Sequence, residues 1–184
     1  MKKFLLLSFL FIANAVIAMP AQILLMRHGE KPNQGSELSP QGWDRAKALP
    51  TLFQNRPEFQ QFGAPAALYA MAPEKKGGSV RAIQTLKFVS EKLNLSINSG
   101  FTRDQVIELV IDIKNNKNLD GKMIVICWEH TVLIDIAKEL GVEQPLDWPS
   151  KQYDRIWTLT YSKDNKLIKF EDLPQKLLPT DSQD

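Results

Sequence analysis

With 184 residues and 23 basic against 21 acidic side chains, the chain has the length of one domain with a sizeable core. Its formal charge of +2 equals what Lys2 and Lys3 contribute, so the body beyond them is neutral and gives no electrostatic case for nucleic acid or an anionic membrane. A single cysteine, Cys127, excludes an intramolecular disulfide.

The chain opens with Lys2 and Lys3, continues with an apolar run over 4–12 and then offers small residues, with Val16 and Ala18 placed for cleavage after Ala18. This is the layout of a secretory signal peptide over 1–18, its apolar run too short to span a bilayer comfortably. The expected mature chain is 19–184, periplasmic or secreted, with no stable membrane association once the signal is gone. A lone cysteine suits an oxidising compartment.

Residues 23–26 are four apolar residues in a row, a short buried strand that stops at Arg27-His28-Gly29. Ser39 is the expected N-cap and Pro40 the first residue of a helix carrying Trp43, Ala46, Leu49, Leu52 and Phe53 at helical spacing. Pro50 should kink or shorten it. Residues 55–65 read as loop and 67–71 as a second buried strand, followed by the polar loop 72–78. Ser79 is the expected N-cap of a helix to about residue 94, with Arg81 in its first turn. Residues 95–97 read as a brief strand, and Thr102 with Gln105 as the capping box of a helix to about 115.

Residues 122–127 form the strongest strand of the sequence, followed directly by Trp128-Glu129-His130. A helix over 131–140 is closed by Gly141. A loop over 144–149 leads to a hairpin of 156–161 and 167–170, and the tail after about 179 is expected to fray. Cys127 lies inside an apolar strand and reads as a small hydrophobe. A nucleophilic role beside His130 lacks an activating neighbour.

Strands alternating with helices imply an α/β fold. The expected form is a single three-layer domain, with a mostly parallel central sheet and helices on both faces. Arg27 with His28, Arg81, and His130 all fall at strand-to-helix junctions, which such folds gather on one edge of the sheet, where ligands bind. The chain has two histidines, His28 and His130, and both end buried strands.

Four segments together resemble the histidine phosphatase superfamily, the phosphoglycerate-mutase-like fold. Arg27-His28-Gly29 matches its defining motif. Arg81-Ala82-Ile83-Gln84-Thr85 is similar to its second arginine segment. Ile126-Cys127-Trp128-Glu129-His130 is similar to the strand bearing its second histidine, and Leu38-Ser39-Pro40-Gln41-Gly42-Trp43-Asp44-Arg45-Ala46 resembles its first helix. The resemblance implies a phosphomonoester hydrolase with no cofactor, acting on a small phosphorylated substrate. His28 would be the nucleophile that becomes phosphohistidine, Arg27 and Arg81 would grip the phosphate, and His130 would stabilise it.

The chemistry fits those residue types. Guanidiniums bind phosphoryl oxygens through bidentate, charge-assisted bonds. An imidazole with the ordinary pKa of about 6.5 offers a neutral ring nitrogen at neutral pH. Metal is not expected, because zinc-ligand spacing is absent and two arginines would repel a cation.

The general acid is open. Where relatives place a carboxylate, this chain reads Ile97-Asn98-Ser99-Gly100-Phe101, which leaves Asp104 and Glu129 as candidates; strand alternation would turn Glu129 away unless the strand ends before it. The lack of an evident acid keeps a catalytically silent phosphate-binding module in view. A mutase-type phosphotransferase is the remaining alternative, disfavoured by short loops and by Lys31 and Gln34 following the first motif. The loops 75–78 and 148–155 are expected to frame the mouth, with Trp148 and Tyr153 offered to a ring-bearing leaving group.

Overall fold

The computed structural model describes residues 19–183, so the expected signal segment 1–18 lies outside the described residues. Six strands form one sheet in the order β3-β2-β4-β1-β5-β6. They are β1 (Gln22–Arg27), β2 (Ala67–Ala70), β3 (Ile97–Asn98), β4 (Met123–Trp128), β5 (Arg155–Tyr161) and β6 (Leu167–Pro174). The first four run parallel, and β5 and β6 add an antiparallel edge. This is the α/β class expected, with a mostly parallel sheet.

The helices are α1 (Pro40–Ala48), α2 (Leu52–Asn55), α3 (Arg81–Leu93), α4 (Val106–Asn115) and α5 (His130–Glu139). The right-handed rule for parallel crossovers divides such helices between the two faces. The chain moves from β1 toward β3 through α1, α2 and α3, then reverses through α4 to β4. Accordingly α1 meets α3, where the Trp43 and Phe88 rings lie edge to face at 6.4 Å. On the other side α4 meets α5, where Lys114 Nζ donates to the Glu139 carbonyl at 3.2 Å. Covered on both faces, β1 and β4 are buried along their whole length, which is why they read as unbroken apolar runs.

Ser39 caps α1, its Oγ accepting the Gly42 N–H at 3.2 Å, and Pro40 takes the first helical position. Pro50 shortens that helix as expected. It sits in a 3-10 turn, Leu49–Thr51, that separates α1 from α2.

Other expectations are corrected. Ser79 does not cap α3; Val80 holds the cap position without a side-chain bond, and Ser79 Oγ accepts instead from Arg81 Nη1 at 3.3 Å. The box at Thr102 is half made. Gln105 Oε1 accepts the Thr102 N–H at 2.9 Å, but α4 begins only at Val106. The expected 55–65 loop contains a 3-10 turn, Pro57–Phe59, that buries Phe59. Trp148 does not border the mouth; it is buried against Trp157, with ring centroids 4.8 Å apart.

The tail past 179 does not fray at Asp181, because a buried charge holds it. Arg45 is 2% exposed, and its guanidinium forms a fork with Asp181 (2.7 and 2.9 Å) while also reaching Glu30 at 2.7 Å and Gln175 at 3.0 Å. An arginine buried this deeply requires such partners, and the C-terminal segment supplies two of them. Burial opposes the Arg45 charge, but its bonds to Asp181 and Glu30 win and raise its pKa above the ordinary value.

Candidate active site

Strands β1 and β4 are parallel neighbours, and the chain leaves them toward opposite ends of the sheet. Such a switch point opens a crevice beyond the carboxyl ends of the two strands. Arg27 pairs with Trp128 in the last register position, and the His28 N–H donates to the Trp128 carbonyl at 3.1 Å. The residues just beyond are His28 on one side and Glu129 with His130 on the other. Strand β4 ends before Glu129, so the alternation that would have turned its side chain away no longer applies.

Glycine spacing lets the first helix close over this edge. A side chain at Gly42 would run into the backbone of Glu30, and one at Gly29 would press on the Gly42 carbonyl at 3.1 Å. The second arginine segment docks from α3. Thr85 Oγ1 accepts the Gly29 N–H at 2.8 Å, and Gln84 Oε1 accepts the Leu38 N–H at 2.9 Å.

His28 Nδ1 lies 2.7 Å from the Gly29 carbonyl oxygen. A carbonyl can only accept, so Nδ1 carries the proton and Nε2 keeps its lone pair. His28 is buried, and that burial, with Arg27 and Arg81 nearby, lowers its pKa to about 4 against the Gly29 bond and Glu129. The imidazole therefore holds its neutral form far below the ordinary value of about 6.5.

Arg27 is buried as well. Its Nη1 donates to the Ser150 carbonyl at 2.7 Å and the Gln152 carbonyl at 3.2 Å, and its guanidinium carbon lies 3.8 Å from the centre of the Tyr153 ring. Its buried Nε has no hydrogen-bond partner among the described residues. Arg81 donates from Nε to the Glu37 carbonyl at 3.0 Å and from Nη2 to the Gly35 carbonyl, which ties it to the loop after β1.

A cavity of about 250 Å³ brings together His28, Arg81, Glu129 and Arg103, with parts of 71–79 as its other wall. The loop over 75–78 thus frames the mouth at Lys75 and Gly78. Arg27 and His130 do not line this cavity. They stand at the same sheet edge, where burial lowers the His130 pKa, helped by Arg27 and Lys31 and opposed by Glu129. His130 Nδ1 lies 2.6 Å from Glu129 Oε1 without hydrogen-bond alignment.

The two candidate acids separate. Glu129 lines the His28 cavity; its Oε2 accepts from Thr131 Oγ1 and lies 3.6 Å from Arg103 Nη2. Burial opposes its charge, but the Thr131 bond, His130 and Arg103 outweigh burial and hold its carboxyl below the ordinary range. Asp104 is exposed, pairs with Arg103 Nη1 at 2.7 Å, and lines a separate groove of about 520 Å³ between α4 and α5. Cys127 is fully buried, and burial raises its thiol pKa, so it is no nucleophile.

Arg103 and the Ser150 and Gln152 carbonyls escaped the sequence reading. Backbone acceptors have no residue signature, and an arginine in a polar turn has little.

No family model and no curated protein matches the sequence. Among solved structures, the protein histidine phosphatase SixA complexed with tungstate superposes with a TM-score of 0.57 at 18% identity, covering 84% of this chain and 97% of that one. A protein from Agrobacterium tumefaciens that carries the phosphohistidine phosphatase SixA name superposes with a TM-score of 0.55 at 15% identity, covering 84% and 99%. The chain has the fold of these histidine phosphatases, the phosphoglycerate-mutase-like fold its motifs resemble.

Proposed function

We propose that the protein is a phosphomonoester hydrolase that works through a phosphohistidine on His28. The observation that carries this reading is the His28 Nδ1 bond to the Gly29 carbonyl, which fixes the tautomer and leaves Nε2 as a nucleophile. Nε2 attacks phosphorus while the bond to the leaving group breaks; water then attacks the phosphohistidine, releasing phosphate and restoring the imidazole. Arg27, Arg81 and His130 supply the donors for the phosphoryl oxygens, whose charge spreads in the transition state. A protein of the same fold has been solved with tungstate, itself a tetrahedral oxyanion, which supports oxyanion binding by this fold.

Leaving-group chemistry narrows the substrate. Glu129 is one of two carboxylates that line the cavity, with Glu74, and its carboxyl is held below the ordinary range, so at neutral pH it has no proton to give. A site of that kind suits leaving groups that need no proton from the enzyme: the phenolates of aryl monoesters or, beyond esters, the imidazole of a phosphohistidine phosphoramidate whose far ring nitrogen already carries a proton. The SixA names of the two neighbours point the same way. The test is a leaving-group series: kcat/KM should fall steeply from aryl to alkyl phosphates, and equal rates across the series would contradict this narrowing.

The ionised Glu129 also favours a second reading, a phosphate-binding module without turnover. Phosphate release against vanadate affinity separates the two. Export belongs to the same proposal. Cleavage after Ala18 would leave Met19 as the first residue, whose backbone nitrogen donates to Asp120 Oδ1 at 3.3 Å. The mass of the processed protein tests it.

A further inference from the structure

Only part of the Arg27 guanidinium is open to the phosphoryl group it is proposed to hold. A guanidinium has five N–H groups, two of them on Nη1. Both of these are occupied, by the Ser150 and Gln152 carbonyls at 2.7 and 3.2 Å. Nε is buried without a hydrogen-bond partner among the described residues, and Nη2 donates to none of them either. What remains is the Nε–Nη2 edge, the fork whose spacing matches two oxygens of a tetrahedral oxyanion.

The loop over 148–153 imposes that choice. Trp148 anchors it in the core against Trp157, and its indole N–H donates to the Gln152 carbonyl at 2.9 Å, the same oxygen that receives Arg27 Nη1. Tyr153 then covers the guanidinium face at 3.8 Å, and the same ring lies 6.1 Å from the His28 ring. Two carbonyls fix the plane and the ring blocks tilting out of it.

We infer that the 148–153 loop aims the Nε–Nη2 edge of Arg27 at the oxyanion, with Tyr153 as a positioning residue acting through its ring rather than its hydroxyl. This inference rests on the proposed phosphate site, but its test does not require turnover.

The experiment is equilibrium binding of inorganic vanadate to the purified protein and to Tyr153→Phe and Tyr153→Leu, each also made in an Arg27→Lys background. Tyr153→Phe should bind within about 2-fold of the parent, and Tyr153→Leu about 10-fold or more weakly, because small misplacements of a positioned group cost this much. In Arg27→Lys the same Leu substitution should change affinity less than about 2-fold, since a lysine has no fork to aim. If Tyr153→Leu fails to fold, Trp148→Phe, which loses the indole N–H together with part of the ring packed on Trp157, should still weaken vanadate binding in the Arg27 protein alone.

Parent-like affinity in folded Tyr153→Leu, or an equal loss in the Arg27→Lys background, would overturn the inference. A parent protein that binds vanadate but releases no phosphate contradicts the proposed activity and leaves this role testable in full. Absence of vanadate binding by the parent overturns both.

Discussion

The hydroxyl of Thr85 accepts the backbone N–H of Gly29 at 2.8 Å and donates to the carbonyl of Arg81 at 2.7 Å. One buried side chain on α3 thus ties the turn after His28 to the first residue of the helix that carries Arg81. The two motifs are separated by more than fifty residues in sequence and are joined here by a single hydroxyl.

Replacing Thr85 with Val keeps the shape and removes the acceptor. The Gly29 N–H is then buried without a partner, which should cost about 1–3 kcal/mol of stability. Urea unfolding measures the loss, and kcat/KM should fall with it, because the His28 turn is no longer pinned.

The pH response of His28 follows from its burial. Its folded pKa of about 4 lies below the unfolded value of about 6.5, so between those values the unfolded chain binds the extra proton. Stability is therefore full above about pH 6.5 and is lost as pH falls toward 4. An NMR titration of the imidazole C–H signals reads this directly. With two histidines in the chain, His130→Gln identifies the His28 signal, which should titrate near 4. Titration at 6.5 would show an exposed ring.

Arg45 offers a test of the buried charge cluster. Arg45→Ala leaves Glu30 and Asp181 without their cation and should cost about 3–5 kcal/mol by denaturant unfolding. Burial opposes the Asp181 charge, yet its bonds to Arg45 and to the Leu177 and Leu178 N–H groups lower its pKa below the ordinary value. Its contribution is thus present above the ordinary aspartate range and is lost as pH falls below that range through the lowered folded value.

The two carboxylates once equal in the sequence should behave differently. Asp104→Asn, outside the cavity, is expected to leave kcat/KM within about 2-fold, as surface substitutions away from a site do. Glu129→Gln removes the charge that faces His130 and Arg103 and should change kcat/KM toward an aryl phosphate by about 10-fold or more, the scale of a positioned polar group. Steady-state kinetics of both variants decides between them.

Much of this was legible because period and punctuation carry physical information. The buried strands announced themselves as apolar runs, Ser39-Pro40 as a helix start and Pro50 as its interruption. The sheet edge that gathers Arg27, His28, Arg81 and His130 followed from alternating strands and helices. Other features depend on contacts between distant residues and leave no local pattern. Ser79 looked like a cap but serves Arg81 with its hydroxyl. The tail looked polar enough to fray, and only the distant Arg45 explains why Asp181 is buried. Glu129 and Asp104 could not be ranked because their difference lies in which cavity each faces. The downward shift of the His28 pKa likewise comes from burial, which composition does not report.

The most direct measurement is phosphate release from a simple aryl phosphate by the purified protein in the presence of EDTA, with His28→Ala beside it. The account predicts turnover that survives the chelator and disappears in the variant. Turnover that persists in His28→Ala would contradict the central claim.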